Sequence, residues 1–307
     1  MDVCFEMVSD AVITLQGKAR KTPILSSAFL GENLFLKAEN LQKTGSFKFR
    51  GSLNKIQSLS DDELSHGIIA CSSGNHAQGV ALAASKIGIK SIICMSERAS
   101  KQKINATKSY GGEVLLVPGS YDDAAKKAEE LRKENGYTLV HPFNDPFVIA
   151  GQGTIGVEIA EQVPDVQQIL VPVGGGGLIS GIALAIKTLK PCCKVIGVQA
   201  ANVPSMFSSM AARKIVSVKE NKETLADGIH VLTPGDITFA MVNKYVDDIV
   251  TVSEKEIMDA MVKLLAYSKT VVEGAGAVSV AAFLSDKVDK NLKTVCVVSG
   301  GNVDLEV

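Results

Sequence analysis

Tryptophan is absent from the 307 residues, aromatics make up only 5%, and neither sign of charge prevails: 32 basic residues stand against 33 acidic ones, a net charge of -1. A chain so balanced has no global field for nucleic acid or an anionic membrane, and its expected partner is a small molecule. The six cysteines, at positions 4, 71, 94, 192, 193 and 296, lack the paired spacings of a disulfide framework or a zinc site, which suits a reducing cytoplasm. Histidines 66, 76, 141 and 230 have no metal-ligand spacing and no obvious nucleophile beside them, so no metal site and no Ser-His-Asp triad is expected. The first residues carry Asp2 and Glu6 rather than a basic stretch leading into an apolar core, so there is no sign of a secretory signal. The longest uncharged run, 166–186, contains Pro172 and four consecutive glycines. Each glycine costs a helix about 1 kcal/mol relative to alanine, so the run reads as strand, turn and helix rather than a membrane span.

What the chain does have is apolar mass: 46% hydrophobic residues and a mean hydropathy of +0.19, enough for a large interior and, at this length, for two domains. Short β-rich runs at 67–71, 91–95, 113–117, 137–141, 169–173, 194–198, 249–252 and 294–298 alternate with helical patterns at 77–86, 101–110, 122–134, 149–162, 178–188 and 254–268. Several of the runs are apolar on both faces, as parallel strands covered by helices must be, and the class is α/β. Ser253 and Glu256 stand three apart as a capping box for the last helix. No flexible linker divides the chain, but polar segments at 58–63 and 143–146 bracket a compact block. A small domain at 58–144 is therefore expected within a discontinuous larger one, 1–57 and 145–307.

Four loops gather glycine, serine, asparagine and lysine at strand ends or helix starts, where open α/β sheets bind ligands. In the first, 43–51, Lys48 lies beside Phe47 and Phe49. A lysine held against aromatic surface has a lowered pKa and serves as a Schiff-base nucleophile; taken alone, a surface lysine snorkelling over two rings is the favoured explanation. The second, 71–79, carries Ser72, Ser73, Gly74, Asn75 and His76 between strand and helix, where backbone N–H groups can hold a carboxylate; the alternative makes Asn75 an N-cap and His76 merely satisfied. The third, with Gly174, Gly175, Gly176, Gly177 and Leu178, suits a phosphate at a helix N-terminus. It lacks the dinucleotide spacing, and the next strand ends in Gln199 instead of a carboxylate, so a nicotinamide dehydrogenase is disfavoured. The fourth, 298–302, places Ser299 at a strand end and closes on Asn302.

In that order the four motifs resemble the serine/threonine dehydratase family of pyridoxal-phosphate enzymes, from Thr22 to the last residues. Segments 149–155, 195–199 and 272–276 look most like the short catabolic threonine dehydratases. The resemblance implies the fold of that group (fold type II, like the β subunit of tryptophan synthase): two open twisted, mostly parallel sheets flanked by helices. It makes Lys48 the Schiff-base lysine, Phe47 a ring contact, Asn75 the partner of the ring oxygen, Gly174 to Leu178 the phosphate cup and Ser299 the partner of the pyridine nitrogen. Ser72, Ser73, Gly74, Asn75 and His76 would grip the substrate carboxylate, with Phe143 and Glu273 lining the substrate side.

The implied reaction is dehydration and deamination of L-threonine to 2-oxobutanoate and ammonia, with L-serine to pyruvate as a secondary activity. A serine at the ring nitrogen, unlike an aspartate, holds no formal positive charge there, which favours elimination over transamination. The family leaves room for a monovalent cation and implies a homodimer or homotetramer. Serine racemases of the same family are the alternative, with Ser73 as the opposite-face base. Those relatives carry cation-binding carboxylates where this chain has Gln199 and Ser205, and a polar residue where it has Phe143. The chain stops at Val307, soon after the last motif, so a C-terminal regulatory domain and feedback by isoleucine are not expected.

Overall fold

A computed structural model describes residues 2–219 and 223–304. Ten strands among them are β1 (Ile24–Ser26), β2 (Leu34–Ala38), β3 (Ile68–Cys71), β4 (Ser91–Ser96), β5 (Glu113–Val117), β6 (Thr138–Leu139), β7 (Gln168–Pro172), β8 (Lys194–Ala200), β9 (Asp248–Val252) and β10 (Thr294–Val298). They form two sheets. One has six strands in the order β1-β2-β10-β7-β8-β9, parallel except for the β1–β2 pair, and the other has four parallel strands in the order β5-β4-β3-β6. Two open, mostly parallel sheets flanked by helices are what the sequence led us to expect.

The doubly apolar strands explain themselves by what covers them. Along β10, Val295 and Val297 face the cluster built with the helices Pro146–Gln162 and Gly177–Leu189, while Cys296 and Val298 face the cluster built on the helix Gly274–Leu284. The four-stranded sheet repeats the pattern: Ile68, Ala70, Ile93 and Met95 pack on one face, Ile69, Cys71, Ile92 and Cys94 on the other. Both faces of a parallel sheet are lost to water in this way, and period-two alternation disappears from the sequence.

Several boundaries differ from expectation. The run at 137–141 pairs only at Thr138–Leu139, because Nδ1 of His141 accepts the backbone N–H groups of Phe143 at 3.2 Å and Asn144 at 2.8 Å and curls the chain out of the sheet. The second loop's helix begins at Asn75, with Gly74 as its N-cap, so Asn75 does not cap it. The helix from Glu254 has its expected Ser253–Glu256 capping box but is α-helical only to Lys263, widening to a π-turn over Leu264–Ser268.

Helix Lys48–Gln57 was not apparent in the sequence, and it joins the two sheets. It packs against helices Asn75–Lys86 and Pro146–Gln162 at backbone contact: a Cβ added to Gly151 would lie 2.7 Å from Cα of Gly51, and one on Gly79 would lie 3.1 Å from the carbonyl carbon of Lys48. Beneath its first turn Arg50, almost wholly buried, meets Glu39 through two hydrogen bonds of 2.8 Å and Glu158 at 2.7 Å and 3.0 Å. Burial pushes the Glu39 carboxyl up, but the Arg50 guanidinium outweighs it and holds the group below its usual range. Lys37, buried in β2, reaches Glu158 at 2.5 Å and the carbonyl of Thr22 at 2.8 Å. A paired and fully hydrogen-bonded buried cluster of this kind is costly to break at any one member, so it fixes the helix that carries Lys48.

Candidate active site

The carboxyl ends of β3, β7 and β10 open into one cleft of about 1150 Å³. Every residue that the sequence assigned to cofactor or substrate lines it: Phe47, Lys48, Ser72, Ser73, Gly74, Asn75, His76, Phe143, Gly174, Gly175, Gly176, Gly177, Leu178, Glu273 and Ser299. Segments from both sheets thus converge on one space.

Lys48 is not a snorkelling surface lysine. Its amine donates to the carbonyl of Pro142 at 2.7 Å and sits 5.3 Å from the centre of the Phe47 ring, while Phe49 turns away into the core. Burial alone pushes its pKa down to about 8, so far more of the amine is neutral near neutral pH than in an ordinary lysine.

The glycine turn is shaped by close approach. A Cβ on Gly175 would overlap carbons of the Phe143 ring, and one on Gly177 would stand 2.8 Å from the Phe143 carbonyl. Gly176 adopts φ of +95°, in the region that favours glycine, and is the N-cap of helix Gly177–Leu189. The first N–H groups of that helix have no carbonyl one turn back to receive them, and its first turn holds no acidic residue. Thr238, which sequence reasoning missed, braces the turn by donating to the Gly175 carbonyl at 2.6 Å.

Across the cleft, Nδ2 of Asn75 donates to Oε1 of Glu273 at 2.6 Å, and Oδ1 of Asn75 accepts from Asn302 at 2.6 Å. Burial pushes the Glu273 carboxyl up to about 7, against the opposing pull of the Asn75 hydrogen bond. His76 donates from Nε2 to the carbonyl of Val140 at 2.8 Å and leaves Nδ1 buried without a partner; burial holds its pKa down at about 3. Its side chain is therefore neutral and points a lone pair, so any grip on a carboxylate comes from its backbone N–H and that of Asn75, the first groups of their helix. The Ser299 hydroxyl donates to the Ala275 carbonyl at 3.4 Å.

His141 also lines the cleft, with its pKa lowered to about 4 by burial and by the Lys48 charge. Its ring meets Phe143 edge to face at 4.8 Å. Lys103 and Asp227 meet at the rim. Lys103 and Asp227 carried no sequence signal, because each finds its partner far away along the chain; His141 bonds its near neighbours Phe143 and Asn144, a turn with no motif to mark it. Gln199 and Ser205 are engaged with the main chain: Gln199 is fully buried, bonded to the carbonyl of Val173 and the N–H of Phe207, and Ser205 donates to the carbonyl of Val231. Among the described residues no three His, Cys, Asp or Glu cluster as a metal site would need.

These residues fit pyridoxal phosphate. A desolvated primary amine suits its aldehyde, a side-chain-free turn at a helix N-terminus suits its phosphate, and a hydroxyl at the end of β10 suits its ring nitrogen. The comparisons agree. The chain is 50% identical over 309 residues to L-threonine ammonia-lyase of Thermotoga maritima, covering 99% of this chain and 77% of the relative. Among solved structures, the processed form of threonine deaminase isoform 2 from Solanum lycopersicum superposes with a TM-score of 0.93 at 36% identity, covering 98% of this chain and 90% of that one. Maize serine racemase superposes with a TM-score of 0.95 at 36% identity, covering 99% and 95%. Residues 15–300 match the family described as pyridoxal-phosphate dependent enzyme, and this chain belongs to that family.

Proposed function

We propose that the protein is a threonine ammonia-lyase, converting L-threonine to 2-oxobutanoate and ammonia and L-serine, more slowly, to pyruvate. The observation that carries the reading is the desolvated amine of Lys48, hydrogen-bonded to the Pro142 carbonyl, in the same cleft as the four-glycine turn. The substrate follows from the likeness to L-threonine ammonia-lyase over almost the whole chain.

Pyridoxal phosphate, when bound, supplies an aldehyde that captures amines and a ring that draws electron density from the amino acid's α-carbon. The chain's own residues do the rest. Lys48 would hold the cofactor through Nζ and, as a free amine, would take the proton from the α-carbon as a general base, a role its lowered pKa suits. Gly174 to Leu178 would hold the phosphate, Asn75 would donate to the ring oxygen, Ser299 would meet the ring nitrogen and Phe47 would pack beside the ring. The loop from Ser72 to His76 holds the carboxylate, chiefly through backbone N–H groups. Phe143, pressed on Gly175, gives the threonine methyl an apolar surface and excludes water. Glu273 holds Asn75 on the substrate side. Ser73, whose hydroxyl makes no hydrogen bond among the described residues, would be the opposite-face base of the racemase alternative.

Residues 58–144, which contain the whole of the four-stranded sheet, act as a small unit closing on substrate against 1–57 and 145–307. A monovalent cation is an accessory at most. The protein assembles as a homodimer or homotetramer through an apolar surface that includes the stacked, exposed Phe29 and Tyr267 with Val262 and Leu265. Its six free thiols suit the reducing cytoplasm, and no helix among the described residues is long and apolar enough to cross a membrane.

Incubation with threonine and, separately, with serine, with 2-oxo acid and ammonia followed, tests the activity. Release from threonine in excess of that from serine is the expected result. Chiral analysis of the residual serine tests the racemase alternative, which the backbone-bonded Gln199 and Ser205 disfavour; accumulation of D-serine without 2-oxo acid would overturn the lyase reading.

A further inference from the structure

Asn302 closes the last of the four motifs, and no step of the reaction requires it. Its Nδ2 donates twice, to the main-chain carbonyl of Thr44 at 2.8 Å and to Oδ1 of Asn75 at 2.6 Å. Nδ2 of Asn75 then donates to Glu273 at 2.6 Å. The three side chains form a directional chain, since an amide nitrogen only donates and an amide oxygen only accepts. A main-chain carbonyl has no proton to give at any pH. Thr44 therefore dictates that the nitrogen end of Asn302 faces it, and the Asn75 atom opposite that nitrogen must be oxygen. Glu273 cannot set this direction by itself, because its carboxyl, raised by burial to about 7, exchanges between acceptor and donor near neutral pH.

The segment is built to hold Asn302 in place. Gly301 donates its N–H to the carbonyl of Gly45 at 2.9 Å, and Ser46 is bridged to Gly300. Gly45, at φ of +72°, leaves the room the amide occupies, since a Cβ there would overlap Oδ1 of Asn302.

We propose that Asn302 is a positioning residue that fixes which end of the Asn75 amide faces the cofactor, keeping the second Nδ2–H of Asn75 directed at the ring oxygen. This rests on the assignment of Asn75 to that oxygen made above. Reversal of the Asn75 amide would turn an oxygen toward an oxygen and replace an attraction by a repulsion.

The test is titration of the cofactor-free, full-length chain with pyridoxal phosphate, recording the dissociation constant and the absorbance maximum of the bound form. The set is the native protein, Asn302→Asp, Asn302→Ala, Asn75→Ala and the pair Asn302→Asp with Asn75→Ala, each shown to be folded by a cooperative melt. Asn302→Asp, which invites Asn75 to reverse, weakens binding about tenfold, the worth of one hydrogen bond, and shifts the absorbance maximum. Asn302→Ala frees the amide without reversing it and weakens binding less. With Asn75→Ala already present, Asn302→Asp adds less than about twofold, because the residue acts through Asn75. Equal weakening in both backgrounds overturns the proposal, and so does an unaltered Asn302→Asp when Asn75→Ala changes both readouts. If Asn75→Ala itself changes neither, the assignment of Asn75 to the ring oxygen is what fails. Should Asn302→Asp not fold, Asn302→Ala completes the same cycle.

Discussion

Lys103 and Asp227 lie 2.9 Å apart across the rim of the cleft, one on the helix Lys101–Ser109 beside the four-stranded sheet, the other on a turn beside the six-stranded sheet. Asp304 stands 3.9 Å from the same amine, and Gln102 donates to the carbonyl of Val303 at 3.2 Å, so the C-terminal segment shares the contact.

If residues 58–144 close on substrate, this pair favours the closed arrangement. Partly exposed pairs contribute at most about 1 kcal/mol, so Lys103→Met is expected to raise KM for threonine by about two- to fivefold while cofactor affinity stays as it was. Steady-state kinetics beside a cofactor titration decide it; an unmoved KM removes the latch.

Lys48→Ala takes away both the covalent anchor and the α-proton base. Turnover of threonine falls by about a thousandfold or more, and the visible Schiff-base absorbance of the bound cofactor is lost. Undiminished 2-oxo acid release from the variant would refute the role.

Phe143 offers its ring where the threonine methyl is expected. Phe143→Ser lowers kcat/KM for threonine about tenfold more than for serine, the scale of one methyl group against an apolar surface. Parallel assays on the two substrates measure the ratio, and an equal loss on both would show that the ring only supports Gly175.

The pH dependence of stability has two opposed contributions. His76 and His141, held at about 3 and about 4 in the fold, take up protons more readily when unfolded, so they lower stability as pH falls below 6.5. Glu273, raised from 4.5 to about 7, binds its proton more readily in the fold, so it adds stability over the same descent and loses it as pH rises through about 7. Glu273→Gln removes the second contribution alone. Melting temperatures between pH 7 and pH 5 should fall more steeply in the variant than in the native protein; parallel curves would contradict the raised carboxyl.

Phe29, 82% exposed, stacks on Tyr267 at 5.5 Å with no described residue of its own chain above it. A large exposed apolar surface of this sort marks an association site. Phe29→Glu combined with Val262→Glu should lower the mass seen by light scattering to that of the single chain, 32.4 kDa. A native protein already at that mass would dismiss the homo-oligomer.

The sequence made the doubly covered strands legible. Thr294–Val298, buried along its whole length, appears with its observed bounds, since runs of this composition have few alternatives in an α/β chain. Strand Leu34–Ala38 was missed because Lys37 interrupts it, and it takes Glu158, Gln162 and the Thr22 carbonyl, all distant along the chain, to make that charge tolerable in a buried strand. Helix Lys48–Gln57 was missed for a similar reason: Gly51 and its polar residues argue against a helix, and the packing on Gly151 and the Arg50 ion pairs that secure it are tertiary. The site fared better, because its backbone-binding loops are contiguous. What escaped was the bracing around them: Thr238, Lys103 and Asp227, whose partners are joined by no local spacing, and His141, whose turn with Phe143 and Asn144 carries no motif.

The Pro142 carbonyl that receives the Lys48 amine lies where the chain returns from one sheet to the other. Once that amine is engaged elsewhere, the crossing loses this tie to the catalytic helix. If residues 58–144 close on substrate as proposed, chemistry at a single nitrogen is transmitted to that crossing, and the ease of closure depends on what the lysine holds.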